Sequence, residues 1–304
     1  MYVSAEDTLA AIPRMPQVYD EPFSDSSQIP TYLLASLTRK HVSVCLSGDG
    51  GDELFCGYKR YWDYDKLQRM TSVVPGPVSR KGLEMLAALR NMLLNFRGRP
   101  GLSSESLPDM SGRELMYAGL VSHWRNPWAI VPGSSRLMSL LEKPALWVNE
   151  MNFMEHMMFM DLMTYLPDDI MVKVDRASMA VGLEARSPFI DDHNTVELAW
   201  RMPHRLKYRD GKGKWILRKI LESYIPSSMI ERPKMGFGVP IDKWLRGSLK
   251  GWAEDLLSEH SLSCAGYVDV KEVRKKWTEH SSGTADWHYL LWDVLMFQSW
   301  LSSR

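Results

Sequence analysis

Seven residues, SGDGGDE (Ser47–Glu53), join two segments of opposite character. Before them runs HVSVCL (41–46), short, apolar and β-branched, the pattern of a buried parallel strand. After them comes LFCGYKRYWDYDKLQRM (54–70), which reads as a helix. Upstream, PTYLLASLTRK (30–40) is also helical in pattern, with Pro30 suited to a first helical position. Helix, strand, Gly-rich turn and helix in that order make an α/β unit.

The rest of the chain sets limits on what such a unit can serve. Its 304 residues allow one large domain or two ordinary ones. Lys+Arg and Asp+Glu both number 37, so there is no global electrostatic pull toward nucleic acid or an anionic membrane. Cys45, Cys56 and Cys264 are odd in number and lack CxxC spacing, which argues against a disulfide framework and a Cys-based zinc site. The eight histidines form no His-x-x-x-His or Cys/His cluster. MYVSAEDTLAAIP at the start has neither the basic nor the apolar region of a signal peptide. No apolar run approaches the ~18 residues of a membrane span. Even the richest stretch, MNFMEHMMFMDLM, is broken by Glu155, His156 and Asp161. A cytoplasmic, soluble protein is expected.

Between about 74 and 148 the character changes, with PGPVS, RGRPGLSSESLPD and VPGSS punctuating short amphipathic helices. From 149 onward helices dominate. Methionines over 151–163 read as core packing. Trp287, Leu290, Leu291, Val294, Leu295 and Leu301 form a helical stripe with a core-facing side. The expected organisation is a partial nucleotide-binding α/β part over 1–74, a helical and loop insert over 75–148, and a helical C-terminal part over 149–304. Lys173, Arg176 and Arg186, with Asp168, Asp169, Asp175 and Glu184, read as a salt-bridged helix surface.

At the turn, Gly48, Gly50 and Gly51 let backbone approach a ligand, and the following helix start favours an anion. Asp49, Asp52 and Glu53 are acidic, however, and no lysine is present. Acid beside phosphate is tolerable when Mg²⁺ bridges carboxylate and phosphate. A dinucleotide fingerprint fails for want of glycine at position 53, and a nucleophile elbow fails because Cys45 and Asp49 stand where glycines are needed. GKGKW (211–215) resembles a Walker A fragment but has Trp215 in place of Ser or Thr. The same acidic residues also suit a helix start that only complements the dipole.

LSGDGGDELFCGY (46–58) resembles the second nucleotide-loop motif of the glutamine-dependent asparagine synthetases. The resemblance continues, in the family's order, through YDEPFSDSSQIPTYL (19–33), YLPDDIMVKVDRASMAVGLEARSPFID (165–191), GKWILRKIL (213–221), ERPKMGFGVPIDKWLRG (231–247) and WHYLLWDVLMFQSWL (287–301). Residues 75–148 are its weakest part. It implies an α/β fold of the ATP-pyrophosphatase kind (adenine nucleotide alpha hydrolase-like), with a parallel sheet and a large helical C-terminal part. The implied chemistry activates the aspartate side chain as β-aspartyl-AMP with release of pyrophosphate, and ammonia then gives asparagine. By motif position Ser47 and Gly48 would contact ATP, and Asp49 would serve adenylate formation. Asp52 would hold Mg²⁺-pyrophosphate, and Lys234 in RPKMGF would neutralise charge developing on phosphate. Asp25, Ser26 and Ser27 are candidates for holding the substrate amino acid. Cys56 stands where the family usually has glycine, which would tighten the helix start.

Two family parts have no counterpart in these residues: the glutaminase domain with its N-terminal cysteine, and a first nucleotide loop of the Ser-Gly-Gly-x-Asp-Ser kind. Met1 falls at a strand resembling MYVSAED, so the chain is expected to be truncated within its sheet. That would leave an apolar sheet edge exposed. Relatives that amidate sugar carboxylates, and a non-catalytic remnant, remain alternatives, and a homodimer stays open. The isolated 304-residue chain is expected to be poorly soluble and to show weak or no aspartate-dependent exchange of labelled pyrophosphate into ATP; robust exchange would refute this.

Overall fold

Val44–Leu46 (β1) is extended and pairs in parallel with Glu184–Arg186 (β2), in the register Val44↔Glu184, Cys45↔Ala185 and Leu46↔Arg186. This pair comes from a computed structural model that describes residues 5–63, 117–118, 121–124, 127–134, 151–231 and 238–304. The ladder runs on at both ends, where Glu184 N–H donates to Ser43 carbonyl at 2.9 Å and Ser47 N–H to Arg186 carbonyl at 2.8 Å. The strand is shorter than HVSVCL and is not buried. Val42, Val44 and Leu46 are exposed, Leu46 to 73%. A parallel strand normally has both faces covered; here, among the described residues, β1 has one neighbour and apolar side chains in the open.

The chain divides into two compact units. One comprises residues 35–77 and 143–236 and contains the sheet. Its core centres on Leu54, Phe55 and Ala199, with Phe189, Ile190, Trp200, Ile216 and Leu217 packed against them. A long helical run crosses it. Asn152 caps Phe153–Met160 in a reciprocal capping box with Glu155. Residues Asp161–Met171 then wind as a wider π-helix around Pro167, and Val172–Met179 returns to α geometry. Proline lacks the N–H that an α-helix would use at that point, so wider winding is its local accommodation. Met154, Met157, Met158 and Met160 are buried, as expected of core packing, while Met163 is exposed. Lys173 pairs with Asp169 at 3.4 Å and Arg186 with Glu184 at 2.7 Å, although Lys173 is buried rather than solvated.

The other unit comprises residues 1–34, 78–142 and 237–304 and is helical where described. Its last helix, His288–Leu301, buries Leu290, Leu291, Trp292, Val294, Leu295 and Met296, a broader apolar surface than a single stripe. The Met15–Tyr19 helix packs on it, and Trp300 Nε1–H donates to Asp20 carbonyl at 2.7 Å. Ala5–Ala11 is helical, so the strand expected at MYVSAED is not found in its described part. The helix expected at 30–40 begins two residues earlier, spanning Gln28–Arg39. Asp25 sets up its start, its carboxylate accepting from Ser27 N–H at 2.9 Å and Ser27 Oγ–H at 2.6 Å. The insert expected over 75–148 lies largely outside the described residues.

In this helical unit His280 is fully buried and packs beside Arg246. Trp287 N–H donates to its Nδ1 at 3.2 Å and an Arg246 N–H approaches the same atom at 3.3 Å. Two donors on one nitrogen require that nitrogen to be unprotonated. Burial, and then the Arg246 guanidinium, push the imidazole down to about 4, against the partial opposition of Asp286. The unfolded chain takes up this proton near 6.5 and the folded chain near 4, so folding loses stability as pH falls through that window. Thermal unfolding of the wild type should therefore weaken between pH 6.5 and 4 more steeply than that of His280→Gln; parallel slopes would contradict it.

Candidate functional site

The Gly-rich turn sits directly at the C-terminal end of β1, where open α/β sheets place their ligands. Ser47 continues from the strand, its Oγ 2.8 Å from Ser187 Oγ. Ser187 N–H donates in turn to Asp191 carboxylate at 2.7 Å. Gly51 N–H reaches Gly48 carbonyl at 3.2 Å and Leu54 N–H reaches Gly50 carbonyl at 2.9 Å, so the turn passes into the short helix Gly51–Leu54. Gly50 has φ +83°, and a Cβ there would lie 2.3 Å from an Ile190 methyl. Glycine is required at that point. Gly48 differs, since a Cβ on it would meet nothing within 4 Å. The turn is thus packed from beneath by Phe189 and Ile190 and open at Gly48.

The helix expected over 54–70 stops after Leu54. Cys56 takes φ +56°, the left-handed conformation that glycine adopts without strain. This is where the resembling family usually carries glycine. Cys56 therefore ends the helix rather than tightening its start, and Gly57 N–H closes back on Asp52 carbonyl at 2.8 Å. Helical geometry resumes at 59–63; residues 64–70 lie outside the described ones.

Against this turn lies a hairpin that the sequence reading missed. Tyr208–Arg209 (β3) and Lys212–Gly213 (β4) pair antiparallel across Asp210-Gly211, both with positive φ. Asp-Gly between two strands is a strong hairpin signal, and it overlaps the GKGKW run that resembles a phosphate loop. The hairpin brings Gly213 so close that a Cβ on it would sit 1.9 Å from Cys56 carbonyl oxygen. Lys214 N–H donates to Phe55 carbonyl at 2.8 Å. Lys214 itself has φ +55°, and its Nζ lies 3.1 Å from Asp52 Oδ1. The lysine missing from the turn is supplied from far along the chain.

Glu53 is buried beneath, accepting from Tyr58 O–H at 2.7 Å. Burial raises its carboxyl above the ordinary value, against the lowering effect of the Tyr58 bond. The same burial, reinforced by Glu53, holds the Tyr58 hydroxyl well above its ordinary value. Arg60 stacks on Tyr58 and Tyr165, at 4.5 and 4.8 Å, and donates to buried Asp161 at 2.6 Å. Tyr61 O–H donates to the same carboxylate oxygen. A braced polar layer thus supports the turn.

Of the sequence-predicted residues, Ser47, Gly48, Asp49 and Asp52 are brought together on one turn. Asp49 is half-buried and Asp52 faces Lys214. Lys234 lies outside the described residues. Asp25, Ser26 and Ser27 are engaged at a helix start in the other unit. A cavity of about 330 Å³ lined by Arg209, Lys212, Trp215, Arg218, Glu222 and Glu231 lies on the hairpin side, and its cations are already matched: Lys212 to Glu231, Arg218 to Gly213 carbonyl.

The asparagine synthase family matches residues 1–302. The chain belongs to that family. It is 34% identical over 309 residues to a Mycobacterium bovis protein assigned as a glutamine-hydrolysing asparagine synthetase, covering 98% of this chain and 45% of that one. It is 29% identical over 304 residues to glutamine-hydrolysing asparagine synthetase 1 of Bacillus subtilis, covering 99% and 46%. Amidase chyE of Penicillium rubens is 21% identical over 261 residues, covering 75% and 37%. The chain spans about half the length of the synthetase relatives it matches.

The hairpin contact makes one stability forecast. Gly213→Ala should destabilise by roughly 1–3 kcal/mol through backbone overpacking, whereas Gly251→Ala, which meets nothing within 4 Å inside a helix, should stabilise by about 0.5–1 kcal/mol. Denaturant unfolding of the two variants compares them directly, and equal midpoints would contradict the close approach.

Proposed function

We propose that this chain carries the ATP-using synthase site of a glutamine-dependent asparagine synthetase, on a fold of the ATP-pyrophosphatase kind. The observation that carries the reading is the turn itself: a glycine backbone left open at Gly48, with Asp49 and Asp52 beside it, at the end of a parallel strand in a chain of this family. Ser47 and Gly48 hold ATP. Asp49 supports attack of the aspartate side-chain carboxylate on the α-phosphorus, pyrophosphate leaves, and ammonia then displaces AMP to give asparagine. Asp52 holds Mg²⁺-pyrophosphate, and Lys234 offsets charge on phosphate.

The donor set suits that cation. Among the described residues no three His, Cys, Asp or Glu side chains converge as a metal cage. Mg²⁺ keeps much of its water and is commonly held by one or two carboxylates plus substrate phosphates, so a single half-buried carboxylate beside open backbone is a fitting donor. Asp52 would hold Mg²⁺, which would supply positive charge against the negative charge of the phosphates. The chemistry needs no protein nucleophile, because the substrate carboxylate attacks. Positioning and fixed charge carry the rate.

The rest of the reading follows the family. The longer relatives are named as glutamine-hydrolysing, which fits ammonia from glutamine as the nitrogen donor. The setting is cytoplasmic, which three free cysteines support. Among the described residues no helix is long and apolar enough to cross a membrane.

Binding is the decisive measurement. Calorimetry should show Mg²⁺-ATP binding by wild type, weakened about tenfold or more in Asp52→Asn, a loss of the order seen for a charge-assisted contact. Asp49→Asn should keep ATP affinity within about threefold of wild type and remove whatever residual aspartate-dependent pyrophosphate exchange the wild type shows. Exchange stimulated by a sugar uronate in place of aspartate would favour the sugar-amidating alternative. A folded wild type that binds no Mg²⁺-ATP would overturn the proposal.

A further inference from the structure

Lys214 is placed by more strain than an ordinary ion pair warrants. Its backbone is left-handed, φ +55° and ψ +33°, facing Cys56, itself left-handed at φ +56°. A non-glycine residue persists in that conformation only when its surroundings over-determine it. Here two glycines do so. Gly213, just before Lys214, is pressed on Cys56 carbonyl, and Gly57 has no room for a Cβ, which would lie 1.9 Å from Asp52 Oδ1 and 2.4 Å from Lys214 Cε. The result directs Nζ to 3.1 Å from Asp52 Oδ1 and to 3.7 Å from where a Cβ on Gly51 would stand. The Lys214 side chain is about two-thirds buried and that of Asp52 more than three-quarters.

A partly exposed pair adds only modestly to stability, and the left-handed backbone at Lys214 and Cys56 subtracts from it. Stability alone does not account for the arrangement. Strain concentrated beside a ligand turn points to a functional role for the strained residue. The ammonium stands at the one carboxylate of the turn assigned to the metal, beside Gly51 of the same turn.

We propose that Lys214 is a second phosphate-binding cation that works by exchange of partners. Without nucleotide it is the counter-ion of Asp52. When Mg²⁺ and phosphate arrive together, the metal takes the Asp52 carboxylate and the lysine moves to a phosphate oxygen. This rests on the reading of Asp52 given above. The consequence is coupling: Lys214 disfavours a bare divalent cation at Asp52 and favours the same cation when it brings phosphate. By linkage, the lysine separates the affinities for bare metal and metal–nucleotide.

The test uses Mn²⁺ alone, followed by paramagnetic resonance, and Mg²⁺-ATP, followed by calorimetry. Lys214→Met should bind Mn²⁺ about three- to tenfold tighter and Mg²⁺-ATP about tenfold weaker, changes of opposite sign in the range typical of coupled sites. Lys214→Arg should restore Mg²⁺-ATP binding to within about threefold of wild type. Lys214→Gly, which relieves the left-handed strain, should melt a few degrees higher than wild type yet lose Mg²⁺-ATP affinity like the Met variant. Loss of both affinities together, or no change in either, would overturn the inference while leaving the ATP site standing. A wild type that binds Mn²⁺ but not Mg²⁺-ATP would instead remove the underlying reading, and this one with it.

Discussion

Two stretches of backbone touch at the centre of the sheet-bearing unit: the turn at residues 55–57 and the hairpin end at 213–214. They approach so closely that neither Gly57 nor Gly213 has space for a methyl group. One hydrogen bond, from Lys214 N–H to Phe55 carbonyl, fixes their register. Everything at the turn follows from this contact. It brings a cation from over 150 residues away in sequence to Asp52, and Trp62 stacks on Tyr208 alongside, with ring centroids 5.3 Å apart.

Beneath that contact the charges are layered by solvent access. Asp49 and Asp52 are half-buried at the surface of the turn, while Glu53 is sealed below with Tyr58. Neighbouring acids on one short helix are therefore not equivalent. The buried one resists ionisation and braces the turn, and the half-buried ones stay open to solvent. Arg60, held between two tyrosine rings and Asp161, anchors this layer to the π-helix. The wider winding there is the local price of Pro167.

What was legible in the sequence is what local chemistry writes. The strand–turn–helix order, the buried methionines and the apolar terminal helix all follow from residue type and period, and the family emerged from motif order. What was not legible depends on contacts remote in sequence or on single backbone angles. β1 was expected to be buried because apolar β-branched runs usually are; burial depends on neighbours, and the run itself does not contain them. The helix from Leu54 was expected to continue because its composition is helical, and one left-handed residue, Cys56, stopped it. The position of Lys214 beside Asp52 is not legible in GKGKW read as a phosphate loop, because it depends on the hairpin turn at Asp210-Gly211.

Cys56 has a further consequence. Its thiol is wholly sealed, whereas Cys264 is exposed and Cys45 partly so. An alkylating reagent reaches Cys56 only when the 55–57 turn parts from the hairpin, so its labelling rate measures how often the site comes apart while the rest of the chain stays folded. Cys56 thus gives the protein a native clock for the opening of its Gly-rich turn.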